Sequence, residues 1–175
     1  MMKSAVRYRW TDGAWVPWRR FAAICDQEFA EGEDRWLEAL EDRSPESHKH
    51  YFACLNTAWA NLPEDLAMRF LTPASLRKWC LIETGWYTAP EPCVMATQAE
   101  ALRHALELSR RHPDDRVYVD PDDPRRVVWK TAKSQSYRAM RKVDFQKSKD
   151  DVLRKLSELI GVPTDELERN AGRAA

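Results

Sequence analysis

Arg126-Val127-Val128-Trp129-Lys130-Thr131-Ala132-Lys133-Ser134-Gln135-Ser136-Tyr137-Arg138-Ala139-Met140-Arg141-Lys142-Val143-Asp144-Phe145 changes character along its length. Paired valines and a tryptophan suit a short strand near 126–131. The polar connector after them has no apolar period. From Phe145 onward, Val152, Leu156, Leu159 and Ile160 recur on one helical face, Asp144 is placed to cap the start, and Gly161 with Pro163 ends the helix. Lys147, Lys149, Arg154 and Lys155 lie off that stripe and are expected in solvent.

The same reading extends upstream. A strand near 116–119 is separated from the next by the turn Asp120-Pro121-Asp122-Asp123-Pro124. Thr97 and Glu100 form a capping box for a helix through Leu102, Ala105, Leu106 and Leu108 to Pro113. Thr72-Pro73 opens a helix with Leu76, Trp79 and Cys80 on its stripe and Gly85 as its stop, preceded by a short helical turn within 64–70. Ser44-Pro45 opens another, with His48, Phe52, Leu55, Trp59 and Leu62 in line and Pro63 beyond. At the start, Asp12-Gly13 between alternating apolar residues predicts a hairpin, and 18–29 a short helix. Residues 35–41 suit a strand, with helix as the rival, and 164–170 a short helix. The expected fold is α+β, a small mixed sheet with several amphipathic helices, in one domain over 1–162, with a short helix and tail over 163–175.

Charge narrows the function. The 28 basic and 28 acidic residues cancel, yet Arg125, Arg126, Lys130, Lys133, Arg138, Arg141, Lys142, Lys147, Lys149, Arg154 and Lys155 crowd one segment, opposed by Asp144, Asp150 and Asp151. The acids concentrate over 26–46. Segregated charge lets a neutral chain attract a polyanion through one face. No apolar run reaches bilayer length and the first nine residues hold no signal-peptide core, so no membrane association and a cytosolic location are expected.

Lys130, Lys133, Ser134, Gln135, Ser136, Tyr137, Arg138, Arg141 and Lys142 suit nucleic-acid contact. Lys and Arg neutralise phosphates, Ser and Gln donate at close approach, and Tyr137 offers a face for base stacking, worth about 1–3 kcal/mol in single-strand binders. The cationic set from Arg43 to His50 lies at a helix start, where anions are favoured, although simple capping by Ser44 explains it equally well. A metal-dependent nuclease would place an acid two residues before Lys130, but Val128 stands there, and neither a nucleophile elbow nor a phosphate-cradling glycine loop occurs. Catalysis, a cofactor and a metal are not expected. Cys25, Cys54, Cys80 and Cys93 show no paired spacing and read as small buried hydrophobes rather than as zinc ligands with His48 and His50. Of the eight tryptophans, Trp59 and Trp79 fall on apolar stripes, while Trp129 suits either a core or a stacking surface.

Three segments, in order, resemble the phage lambda Orf (NinB) recombination-mediator family. They are Arg43-Ser44 with Lys49 and Phe52-Ala53-Cys54-Leu55, then Ala74-Ser75-Leu76-Arg77, then Ser134-x-Ser136 with Met140-Arg141-x-x-Asp144-Phe145. The similarity spans about 35–160. It departs at His48, where the family tends to have Asn, at one extra residue between Ser136 and Met140, and at about 88–126, which reads as an insertion. The resemblance implies a non-catalytic homodimer that binds single-stranded DNA and engages the host single-strand-binding protein or recombinase in the bacterial cytosol. It carries over Arg43, Lys49 and Arg141 as DNA contacts.

Together these observations point to a phage or prophage accessory protein that binds DNA, single strands preferred. The rival is a phage-encoded protein-binding inhibitor of a host nuclease or defence complex, favoured by the acidic segment over 26–46.

Overall fold

A computed structural model of the chain describes residues 6–35, 45–136 and 139–174, with the side chains of Pro45, Arg173 and Ala174 left out. Helices outweigh strands in a mixed α+β fold with small antiparallel sheets. The chain divides into two compact units, Met1–Ala39 and Leu40–Ala175. The expectation of a strand over 35–41 falls almost wholly outside the described residues.

In the first unit, Tyr8–Thr11 (β1) pairs antiparallel with Ala14–Pro17 (β2). Asp12 and Gly13 both take positive φ, 52° and 80°, the conformation a two-residue hairpin turn with the right-handed strand twist requires. Arg19–Glu28 (α1) follows, and Tyr8 Oη lies 3.6 Å from the buried Cys25 Sγ, joining β1 to α1.

The second unit contains Pro45–Ala60 (α2), Glu64–Ala67 (α3), Pro73–Glu83 (α4), Tyr87–Thr88 (β3), Cys93–Val94 (β4), Gln98–Arg111 (α5), Arg116–Val119 (β5), Arg126–Ala132 (β6), Lys142–Ile160 (α6) and Thr164–Ala174 (α7). β6 organises its sheet by pairing with β3, β4 and β5, all antiparallel. β4 and β5 both register with Val127 and so flank β6 on opposite edges. Two-residue strands such as β3 and β4 carry no readable period, which is why the sequence shows only β5 and β6.

The helix starts follow local chemistry. Thr72 and Ser75 cap α4 reciprocally, each side-chain oxygen accepting from the other's backbone N–H, with Pro73 at the first helical position. The box expected at α5 is only half formed. Thr97 Oγ1 accepts from Glu100 N, but the Glu100 carboxylate reaches back one residue further, to Ala96 N. Asp144 does not cap α6. The helix begins earlier, with Arg141 at the cap position, and Asp144 sits in the first turn, where its charge meets the positive helix end.

The main core joins Tyr51, Cys54, Leu55 and Ala58 of α2, Leu76, Cys80 and Leu81 of α4, Val152, Leu153 and Leu156 of α6, and Leu167 and Ala171 of α7. The buried face of α6 is Phe145, Ser148, Lys149, Val152, Leu153, Leu156 and Ser157. Leu159 and Ile160 lie at its margin. That face is rotated from the apolar stripe because three of its members are polar and satisfied inside. Ser157 bonds Leu153 O and Thr164, Ser148 bonds Phe145 O, and Lys149 Nζ donates to Ser47 Oγ at 2.9 Å. Lys149, expected in solvent, is therefore a buried cation. α7 runs to Ala174 instead of ending near Asn170, and its apolar side belongs to the core. A smaller cluster of Ala101, Ala105 and Val127, with Met95, Leu108, Val117 and Val119, seats α5 on the sheet.

Trp129 is held by this sheet. Its Nε1 donates to Asp115 at 2.8 Å, and its ring lies 4.8 Å from that of His112. It is a packing residue. Cys25, Cys54 and Cys80 are buried as expected, while Cys93 is exposed. Among the described residues, no helix is long and apolar enough to cross a membrane and no three His, Cys, Asp or Glu side chains gather as a metal site.

Leu167→Ala is expected to destabilise the protein by about 2–5 kcal/mol in urea unfolding, the usual cost of a large-to-small change in a core. A loss near zero would place α7 outside the core.

Candidate nucleic-acid interface

The connector after β6 is fixed at two points. Lys133 N donates to Trp86 O at 2.9 Å, and Trp86 Nε1 donates to Asp151 of α6 at 2.9 Å. Two residues on, Gln135 turns inward and is only 7% exposed. Its Oε1 accepts from Tyr51 Oη at 3.2 Å and from the Arg77 guanidinium at 2.9 Å, and its Nε2 donates to Ser148 Oγ at 2.8 Å. One amide thus links α2, α4 and α6 to the connector. Burial raises the Tyr51 phenol above its ordinary range, with Arg77 and the Gln135 bond acting the other way, so Tyr51 stays a neutral donor.

With Gln135 inside, Lys133, Ser134 and Ser136 border a cleft of about 410 Å³ whose other walls include His48 and Phe52 of α2 and Arg77 and Lys78 of α4. Lys78 is paired with Asp114 at 2.7 Å. Arg77 is half-buried, stands 5.8 Å over the Phe52 ring and bonds Gln135, but no carboxylate pairs with it among the described residues. Lys133 is exposed and likewise forms no ion pair there. Ser134 Oγ accepts from Ser136 N at 3.3 Å, which leaves its hydroxyl hydrogen able to turn toward the cleft. A half-buried guanidinium with no acid paired to it among the described residues, in a cleft also bordered by an ammonium and a hydroxyl, favours an anion.

The structure gathers only some of the residues expected at the interface. Lys133, Ser134 and Ser136 border the cleft, and Gln135 lies beneath it as a structural link rather than a surface donor. Lys49 is exposed on α2, and Arg141 and Lys142 are exposed at the start of α6. Lys130 extends from β6 with Nζ 4.4 Å over the Tyr87 ring and 5.7 Å over that of Tyr118. Arg43, Tyr137 and Arg138 lie outside the described residues.

The basic run is not one patch. Arg125 and Arg126, at the start of β6, pair with Asp123 and Asp120 of the preceding turn, whereas Arg154 and Lys155 pair with Asp151 and Glu158 well along α6. These pairings follow short-range contacts that a linear count of charge cannot show. Arg77 was missing from the expected contacts. Its place in Ala74-Ser75-Leu76-Arg77 was visible, but its lack of an acidic partner among the described residues is a three-dimensional property.

Burial pushes the Cys54 thiol up to about 11 and that of Cys80 up to about 12. Neither forms a nucleophilic thiolate near neutral pH. No family model, curated protein or solved structure matches this chain.

Gln135→Leu removes an acceptor from Tyr51 and Arg77 and a donor from Ser148. An orphaned buried group costs about 1–3 kcal/mol; Ser148 keeps its bond to Phe145 O and Arg77 is half-buried, so the loss falls chiefly on Tyr51 and thermal unfolding should show about 1–3 kcal/mol. In a separate measurement, alkylation of the native protein near neutral pH should modify Cys93 and spare Cys54 and Cys80 until the protein unfolds.

Proposed function

We propose that this is a non-catalytic accessory protein that binds DNA, single strands preferred, with a backbone phosphate drawn to Arg77. The observation that carries the reading is the guanidinium at the cleft, half-buried and unmatched by any carboxylate among the described residues. A cleft of about 410 Å³ suits one nucleotide better than the broad face of a duplex. Lys133 and Ser134 then supply the neighbouring contacts, and Arg141 and Lys142 at the start of α6 extend the path.

The sequence resemblance supports the same reading. Each of the three segments similar to the Orf (NinB) family contributes to the cleft, through Phe52, Arg77, and Ser134 with Ser136. A recombination-mediator role in a phage or prophage follows as part of the proposal, with a homodimer and the host single-strand-binding protein or recombinase as partners.

Phosphate contacts make affinity fall with salt, by about 0.7 in log–log slope for each contact to a single strand. The triple variant Arg77→Gln, Lys133→Ala, Arg141→Ala should bind a labelled single-stranded oligonucleotide at least about tenfold more weakly at low salt, with a shallower slope by roughly two contacts. An unchanged affinity and slope would contradict the proposal.

A protein partner is the second reading, favoured by the exposed carboxylates of Asp26, Glu28, Glu31 and Asp34. A partner retained in pull-downs after nuclease treatment, by a protein that fails to shift oligonucleotides, would favour it over the first.

A further inference from the structure

The first unit exposes a feature that the cleft does not use. Trp10 and Trp15 sit opposite each other across the β1–β2 ladder, their rings edge-to-face with centroids 5.3 Å apart. They remain 58% and 54% exposed, a large apolar area to leave in water. One strand position away the side chains point to the other face. There Arg9 lies opposite Val16, and its guanidinium stands 5.5 Å from the ring of Trp18, with that of Arg20 at 5.8 Å. Arg9, Trp18 and Arg19 help line a hollow of about 380 Å³. Arg9, Arg19 and Arg20 are exposed and form no ion pair among the described residues.

We infer that the β1–β2 hairpin is a second binding element for single-stranded nucleic acid, with unpaired bases stacking on Trp10 and Trp15 and phosphates held by Arg9, Arg19 and Arg20. A polynucleotide repeats a flat apolar group and an anion at short intervals, and the hairpin offers both complements within a few residues. An edge-to-face pair leaves outer ring faces open, and a base accepts such a face only when it is unpaired. A lipid surface would also welcome tryptophan and arginine. It is disfavoured because the turn tip between the two tryptophans carries Asp12, whose carboxylate would be pressed against the membrane, and because Val16 is the only exposed large aliphatic side chain on the two strands.

The test titrates the full chain with labelled oligothymidine, with its duplex with oligoadenine, and with anionic phosphatidylserine vesicles. Trp10→Ala with Trp15→Ala should weaken single-strand binding about tenfold or more, the scale of lost base stacking, while Trp10→Phe with Trp15→Phe keeps most of it. Arg9→Ala with Arg19→Ala and Arg20→Ala should also weaken it and lower the salt slope. Wild-type affinity in the alanine pair, equal losses in the alanine and phenylalanine pairs, or binding to vesicles but not to oligothymidine would each overturn the inference. Indole quenching by oligothymidine in the Arg77→Gln, Lys133→Ala, Arg141→Ala variant separates the two sites. Quenching that survives there, and disappears in the tryptophan-to-alanine pair, assigns it to the hairpin even if the cleft proves silent.

Discussion

The side-chain amide of Gln135 decides where the connector after β6 can lie. A buried amide needs partners for both its oxygen and its nitrogen, and Tyr51, Arg77 and Ser148 supply them from three different helices. Lys133 and Ser134 are thereby held beside α2 and α4 instead of drifting in solvent. The same bond fixes the direction of the Arg77 guanidinium, which would otherwise have many rotamers available. A cation oriented by a neutral amide keeps its charge for a ligand. Had the partner been a carboxylate, the guanidinium charge would be matched within the protein.

Under the proposed function, charge segregation in the chain acts through selection rather than accumulation. Most cations at the two ends of the basic run meet nearby acids, and Lys149 is drawn inside against Ser47. Arg77 and Lys133 combine the absence of such neighbours among the described residues with a place on the wall of the cleft. Few unmatched cations in a shaped cleft give more positional specificity than many matched ones on an open face. In the hairpin unit, Arg9, Arg19 and Arg20 likewise form no ion pair among the described residues.

Much of the fold was legible in the sequence because local chemistry decides it. Asp12-Gly13 suits only a tight hairpin, Thr72-Pro73 announces a helix start, and the valines of β5 and β6 mark strands. The errors arose where tertiary contacts override period. Ser148 and Ser157 lie on the buried face of α6 because they bond backbone and neighbouring side chains, and apolar spacing alone assigns that face to Leu159 and Ile160. α7 is poor in apolar residues, yet Leu167 and Ala171 suffice to seat it. Of the candidate site, the connector was visible as a mixture of donors and cations. The inward turn of Gln135 and the participation of Arg77 were not, since both depend on segments distant in the chain.

The most direct measurement is oligonucleotide binding by Gln135→Glu. The new carboxylate has the size of the amide and can still accept from Tyr51 and Arg77, while the Ser148 hydroxyl can turn to donate to it. The fold should persist by circular dichroism and thermal unfolding. With Arg77 now facing a carboxylate, single-strand affinity should fall about tenfold and the salt slope by about one phosphate contact. Full affinity in a folded Gln135→Glu protein would contradict the claim that the unmatched charge of Arg77 draws the phosphate.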